Sequence, residues 1–188
     1  MPSLNNILEP VWETYQTTRD CLKITSKSIS KNQFAILRNT KFAGNTVDAA
    51  ELLISDSRKN AEDFVILSLW AVFERKLLEY IQNKGKKLLG TTPTIFCSNL
   101  HQKIERDMEY WKSNDLLELF KPVAGHDLVG KAKQVKQYRD WIAHKNPNKP
   151  SPANVLPLEA YKILSAIITT IEQHPDFKKG AVLNDSCM

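Results

Sequence analysis

The chain has few of the residues that build disulfide frameworks, zinc sites or phosphate-binding loops. Its three cysteines, Cys21, Cys97 and Cys187, form no CxxC pair, so neither a disulfide framework nor a zinc site is indicated. The chain has 6 glycines and contains no GxxxxGK[ST], GxGxxG or GxSxG motif, so phosphate-loop, dinucleotide and serine-hydrolase sites lack their residues. Three free thiols are typical of a protein in a reducing cytoplasm.

Long apolar runs are also missing. The longest apolar stretch, residues 64–73, is about half the length of a membrane span and is interrupted by Ser68. The first residues show no basic region followed by an apolar run, which a signal peptide would need. We therefore expect a soluble, cytoplasmic protein with no membrane partner.

The apolar residues that are present recur at helical spacing, and no segment alternates with a period of two. This predicts an all-α fold, a bundle of about five to seven helices. The strongest predicted helix covers residues 61–83, with Asn60 as its cap, and a separate helix covers residues 46–58. With 188 residues and 42% hydrophobic composition, the chain is long enough for one buried domain.

The domain organisation follows from these helices. Residues 1–45 are predicted to form an N-terminal helix and a loop that pack on the bundle. Residues 46–175 form the helical domain, which ends at His174-Pro175 because proline cannot continue a helix. Residues 176–188 form a C-terminal tail.

The stretch from residue 138 to residue 147 contains a conflict between residue type and position. Helical steps of about 100° place Arg139 in the same stripe as Ala132, Val135 and Ile142, so a permanent charge lies on an apolar face. Such an arginine needs a carboxylate, a subunit interface or an anionic cleft. Glu74, which lies on an apolar stripe of its own helix, is a candidate partner. The alternative is a buried ion pair or a stem whose charged head reaches water.

His144 follows Arg139 by five residues. On a regular α-helix that spacing is a rotation of roughly 140°, which directs the two side chains away from each other. They converge only where the helix widens or unwinds after Trp141, and such irregularities are frequent at functional sites. Pro147 predicts a helix end at Asn146.

The positive charge of the chain is concentrated around this stretch. Residues 131–149 carry six basic side chains and one acid, which gives this segment a net charge of +5, equal to that of the whole chain. A cationic segment suits a polyanion such as nucleic acid or a nucleotide. A solvated lysine face on a surface helix is the alternative.

These residues resemble the HEPN superfamily, the higher eukaryote and prokaryote nucleotide-binding domains. Its members are small α-helical bundles, usually homodimers, with an R-x4-6-H motif late in the domain and a polar residue after the arginine. Here the motif is Arg139-Asp140-Trp141-Ile142-Ala143-His144. The apolar helix that carries Glu74 is similar to the long family helix with a glutamate, and the likeness covers residues 61–173.

The resemblance implies metal-independent cleavage of RNA, without a cofactor, by a toxin of a toxin–antitoxin pair or by an abortive-infection effector. Arg139 would bind the scissile phosphate and His144 would act as general base or acid, leaving 2′,3′-cyclic phosphate and 5′-hydroxyl ends. Asp140 and Glu74 would support them.

The implied partners are RNA, a second copy of the chain that completes the active site, and an antitoxin or defence-system protein. The candidate RNA contacts lie around the motif and are Lys136, Tyr138, Lys145 and Asn146. Tyr138 could stack on a base, or it could pack inside the protein. The alternative function is a HEPN-like module that binds RNA, a nucleotide or a protein without cleaving.

Overall fold

The computed structural model describes residues 6–33, 35–144, 150 and 152–177. Over these ranges the chain forms six α-helices, two short 3-10 turns and no strand, which confirms the predicted all-α fold. The helices are α1 (Glu9–Ser30), α2 (Val47–Gly85), α3 (Thr94–Asp107), α4 (Ser113–Ala124), α5 (His126–His144) and α6 (Pro157–Gln173), and the turns cover Lys86–Leu88 and Met108–Tyr110.

Helix α2 is the central element of the fold, with 39 residues. Thr46 caps its start: the Thr46 side chain accepts a hydrogen bond from the Ala49 backbone N–H and so satisfies a free donor of the first turn. The prediction of two helices separated by a cap at Asn60 is wrong, because α2 continues through this residue without a break. Asn60 has a weak helix preference, and packing on either side of it outweighs that preference.

Replacing Asn60 with alanine is expected to stabilise the protein by about 0.5 kcal/mol, because an exposed asparagine inside a helix is a poorer helix former than alanine. A true capping residue would instead lose about 1 kcal/mol on this change. Thermal or urea unfolding gives the sign, with Thr46→Ala as the matched control that should destabilise. A lower melting temperature for Asn60→Ala would show that Asn60 acts as a cap.

The main core lies where α2, α4, α5 and α6 meet. Its fully buried residues include Leu69 and Phe73 of α2, Ala132 and Val135 of α5, and Ile167 of α6. These positions follow the helical periods seen in the sequence, so each helix turns its apolar stripe toward the others.

Helix α1 joins this core through aromatic packing. Trp12 is buried and stacks on Tyr161 of α6, with ring centroids 4.8 Å apart. The Tyr161 hydroxyl donates to Glu9 and accepts a hydrogen bond from Asn6. The chain around α1 is therefore attached to α6 as well as to α2.

A second, smaller cluster lies near the start of α2. It consists of Ile29 at the end of α1, Leu37 in the following turns, and Ala50 and Ile54 of α2. This cluster holds the connection between α1 and α2 against the first turns of α2.

Gly125 separates α4 from α5. Its φ of 89° lies in the left-handed region that glycine adopts without strain, and its N–H closes the last turn of α4 on Lys121. Proline usually breaks a helix, but Pro122 lies inside α4. Across the described residues, none of the helices combines the length and the apolar character that crossing a membrane requires.

Candidate active site

Arg139 lies between α5 and α2 at the edge of the main core. Its neighbours on the same stripe, Ala132, Val135 and Ile142, are buried, whereas the Arg139 side chain is 24% exposed. The guanidinium carbon lies 5.3 Å from the centroid of the buried Trp70 ring, a cation–π contact. Arg139 can therefore lie on the apolar face, because the aliphatic part of its side chain is covered and its guanidinium reaches the surface.

Two carboxylates flank the guanidinium. Arg139 Nη2 lies 3.6 Å from Glu74 Oε2, and Nη1 lies 3.1 Å from Asp140 Oδ1. The ion pair between Arg139 and Glu74 expected from the sequence is thus present. Ser113, the first residue of α4, donates a hydrogen bond to Glu74, so this carboxylate links three helices.

The guanidinium retains binding capacity. Its Nε–H is buried and has no hydrogen-bond partner among the described residues. A buried donor without a partner costs free energy of about 1–3 kcal/mol, but because this nitrogen is buried an incoming anion meets the exposed part of the side chain instead. The arrangement can therefore bind an anion, and a phosphate matches the planar guanidinium.

His144 does not join Arg139 within one chain. Helix α5 is regular from His126 to His144, so the widening after Trp141 that would bring the two together is absent. Five regular helical steps direct their side chains roughly 140° apart. His144 is exposed, while Arg139 faces α2.

The structure corrects the prediction for Tyr138. Its side chain is buried, with 8% exposure, and its hydroxyl donates to Asp63 Oδ1 at 3.3 Å. Burial and the nearby Asp63 carboxylate raise the pKa of this hydroxyl above its ordinary value. The ring also stacks on Trp141, with centroids 6.0 Å apart, so it is a packing residue and cannot stack on a base.

The other three candidate RNA contacts are less defined. Lys136 is partly buried, and its ammonium donates to Asp140 at 2.6 Å. Lys145 and Asn146 lie outside the described residues, as do Pro147 and the predicted helix end at Asn146.

The positive charges of the cationic segment are more completely neutralised by nearby acids than the sequence suggests. Within residues 131–144, every lysine and arginine of α5 pairs with an acid; the pairs are Lys131–Asp127, Lys133–Glu118, Lys136–Asp140 and Arg139–Glu74. Exposed pairs of this kind contribute little stability but cancel the local field. The described part of α5 is thus not the strongly positive face predicted.

Asp63 contacts the candidate site through Tyr138, a contact that the sequence analysis did not predict. It is 3% exposed, and it lies on the side of α2 that meets the last turns of α5. Its position was detectable, because Asp63 and Glu74 are 11 residues apart and three helical turns place them on one face. Buried acids are rare and usually have a partner, so Asp63 fixes the position of Tyr138 and with it the end of α5.

No protein-family model, curated protein or solved structure shows significant similarity to this chain. The functional assignment therefore depends on the residues of α5 and their contacts with α2.

Proposed function

We propose that the protein is a metal-independent endoribonuclease of the HEPN type, acting in the cytoplasm as a toxin or as a defence effector with a partner protein. The observation that carries the proposal is the partly exposed Arg139 side chain, which is held against Trp70 and between the carboxylates of Glu74 and Asp140. It lies one helical turn and a half before an exposed histidine at the end of α5.

In this reaction the ribose 2′-oxygen attacks the adjacent phosphorus, and the bond from phosphorus to the 5′-oxygen breaks. The proton of the 2′-hydroxyl leaves to a base, and the 5′-oxygen takes up a proton from an acid. Histidine suits either role because it titrates near neutral pH. Arg139 would bind the phosphate oxygens and stabilise the charge that develops on them.

Glu74 and Asp140 have a supporting role in this proposal. They hold the guanidinium from two sides while no substrate is present. An incoming phosphate competes with them for the same donors, so the two carboxylates keep the arginine in position and are displaced in part when RNA binds.

Purified protein incubated with labelled RNA in EDTA is expected to produce fragments with 2′,3′-cyclic phosphate and 5′-hydroxyl ends. EDTA removes metal ions, which this reaction does not require. The variant His144→Ala is expected to lose about 10²- to 10⁴-fold in rate, the usual contribution of a general acid or base. Gel analysis before and after treatment with a 2′,3′-cyclic phosphodiesterase identifies the cyclic phosphate ends.

His126→Ala is the matched control, since His126 is an exposed histidine at the other end of the same helix. This variant should cleave at the wild-type rate. Equal activity of His144→Ala and the wild type would rule out His144 as the catalytic group, and cleavage that stops in EDTA would rule out the metal-independent reaction.

A HEPN-like module that binds without cleaving is the second candidate. Two observations favour it: the regular α5, which separates Arg139 from His144, and the paired lysines of that helix. A binding module would retain its RNA affinity in His144→Ala and lose it in Arg139→Ala. The logarithm of its affinity would fall with the logarithm of the salt concentration, with a small slope of roughly 0.7 for each phosphate contacted on single-stranded RNA.

A further inference from the structure

Two arginines lie on the apolar stripes of α1 and α2, in the gap between the main core and the second, smaller cluster. On α1, Arg19 follows Tyr15 of the main core by four residues and precedes Leu22, which packs on the smaller cluster, by three. On α2, Arg58 follows Ile54 of the smaller cluster by four residues. Steps of three and four residues stay on one face of a helix, so both arginines occupy positions where apolar side chains are expected.

The two arginines lie at the same level of the α1–α2 pair. The helices are antiparallel, because the Ser26 hydroxyl donates to Glu51 at 2.9 Å, and Tyr15 and Ala61 line one groove between them. Residues of α1 and α2 are therefore level when their numbers add to about 77. The numbers of the two arginines add to the same value.

The hydroxyl of Tyr15 is affected by the charges at this level. Tyr15 is 8% exposed, and burial raises the pKa of its hydroxyl. The Glu62 carboxylate raises this pKa further, whereas the guanidinium groups of Arg19 and Arg58 lower it. Because such effects require short distances, the three charged groups lie close to one hydroxyl.

The positive charge of this pair is not neutralised by the described residues. Within that part of the chain, neither Arg19 nor Arg58 forms an ion pair, and Glu62 supplies one negative charge against two positive ones. The Nε of Arg19 is buried, so the inner part of the side chain is held between the helices, while the residue as a whole is partly exposed. Arg58 is exposed. Two like charges at one level repel each other, and an anion between them would offset this repulsion.

The direction of α5 relative to α2 determines which end of α5 lies near this pair. Ser113 at the start of α4 contacts Glu74, and Phe120 farther along α4 packs on Tyr80, so α4 is parallel to α2. Helix α5 returns along α4 after the turn between them. Helix α5 is therefore antiparallel to α2, and its last turns lie toward the first half of α2.

The arginine pair and His144 lie at the same end of the helical bundle. The Tyr138 hydroxyl donates to Asp63, which makes these two residues level. His144 lies six residues, or about 9 Å, beyond Tyr138, and Arg58 lies five residues, or about 7.5 Å, before Asp63. Glu62 raises the pKa of the Tyr138 hydroxyl as well, so one carboxylate is close to both the arginine pair and the last turns of α5.

We propose that Arg19 and Arg58 bind a phosphate group of the RNA strand that reaches His144. Guanidinium groups match phosphate oxygens in shape and charge, and the Tyr15 hydroxyl beside them can donate a further hydrogen bond. The strand would extend from the end of α5 across α2 to α1. The inference rests on the proposed function in one respect, because that function supplies RNA as the ligand.

Binding of a short, fluorescent 2′-O-methyl RNA of mixed sequence tests the proposal without the cleavage reaction, because its 2′-oxygen is blocked. Arg19→Met and Arg58→Met are each expected to weaken binding about tenfold, the effect of one lost contact to a charged group. In the double variant, the slope of log affinity against log salt should fall by roughly 0.7, for one phosphate. Arg38→Met is the matched control, because Arg38 is an exposed arginine in the turns between α1 and α2, and it should bind normally.

Thermal unfolding of the same variants separates ligand binding from a structural role. Methionine in place of Arg19 keeps an apolar stem on the stripe and removes the charge, so the melting temperature is expected to rise while RNA affinity falls. An arginine that stabilises the fold would show the opposite change in melting temperature. Glu62→Gln should strengthen RNA binding, because it removes a negative charge beside the site.

The possible results lead to different conclusions. A wild type that does not bind this RNA, or an affinity that is unchanged in both Arg19→Met and Arg58→Met, would overturn the proposal. A lower melting temperature of Arg19→Met would assign Arg19 to the fold and also overturn it. Binding that depends on both arginines, together with failure to cleave an unmodified RNA, would support the phosphate site and refute the nuclease. Cleavage by a protein whose RNA affinity ignores both arginines would do the reverse.

Discussion

Replacing Arg139 with alanine is expected to lower the rate of RNA cleavage by about 10²- to 10³-fold, the usual cost of removing one group that stabilises transition-state charge. The fold should persist, because the side chain is partly exposed and its neighbours Ala132 and Val135 hold α5 in place. Arg139→Lys should restore little, since an ammonium cannot present two parallel donors to a phosphate. Cleavage rates with circular dichroism of each variant provide the measurement.

A mixture of Arg139→Ala and His144→Ala chains separates a composite site from a site within one chain. In a composite dimer, each mixed dimer contains one site built from two intact residues. Random exchange of subunits makes half of the dimers mixed, so the mixture should recover about a quarter of the wild-type activity. Sites within one chain would recover none. Arg38→Ala, which removes an exposed arginine far along the chain from this site, should cleave normally.

Replacing Phe73 with alanine is expected to destabilise the protein by about 3–5 kcal/mol. Phe73 is fully buried in the main core and packs beside Trp70, with ring centroids 5.5 Å apart. Its removal leaves a cavity that α4, α5 and α6 cannot fill without moving. In a chain of this size the melting temperature should fall by about 10 °C, measured by thermal unfolding.

Phe96→Ala is the comparison for this effect. Phe96 is exposed on α3, so the same truncation should change stability by less than about 0.5 kcal/mol. Equal losses for the two variants would mean that α2 is not the centre of the core.

The helices were predictable because apolar residues at helical spacing must face a core. This spacing can be recognised without knowing which other helices form that core. The sequence therefore indicates the all-α class that the described residues show. It does not indicate that α2 continues through Asn60, because local preference there favours a cap and tertiary packing decides otherwise. Nor does it indicate that Lys133 pairs with Glu118, since partners on different helices are not adjacent in sequence.

The candidate site was predictable only in part, for similar reasons. Arg139 and Glu74 each place a charge on the apolar stripe of a helix, so each predicts the other as its partner. The two side chains do form an ion pair. The burial of Tyr138 depends on Asp63, which is 75 residues away in the chain. The separation of Arg139 from His144 depends on how regularly α5 ends, and spacing alone leaves that open.

Helix α2 is one helix but contributes to three clusters: a small one at its start, the main core along its middle, and a third in which Leu78 packs with Met108 and Leu116. Its first turns are held by Ile29 and Leu37, which pack on Ala50 and Ile54, and its middle is held by the main core. Fraying of the first turns exposes only the small cluster, whereas opening the middle requires the whole bundle to unfold. Backbone amides along this single rod of about 58 Å therefore exchange with solvent through two different opening reactions, one local and one global.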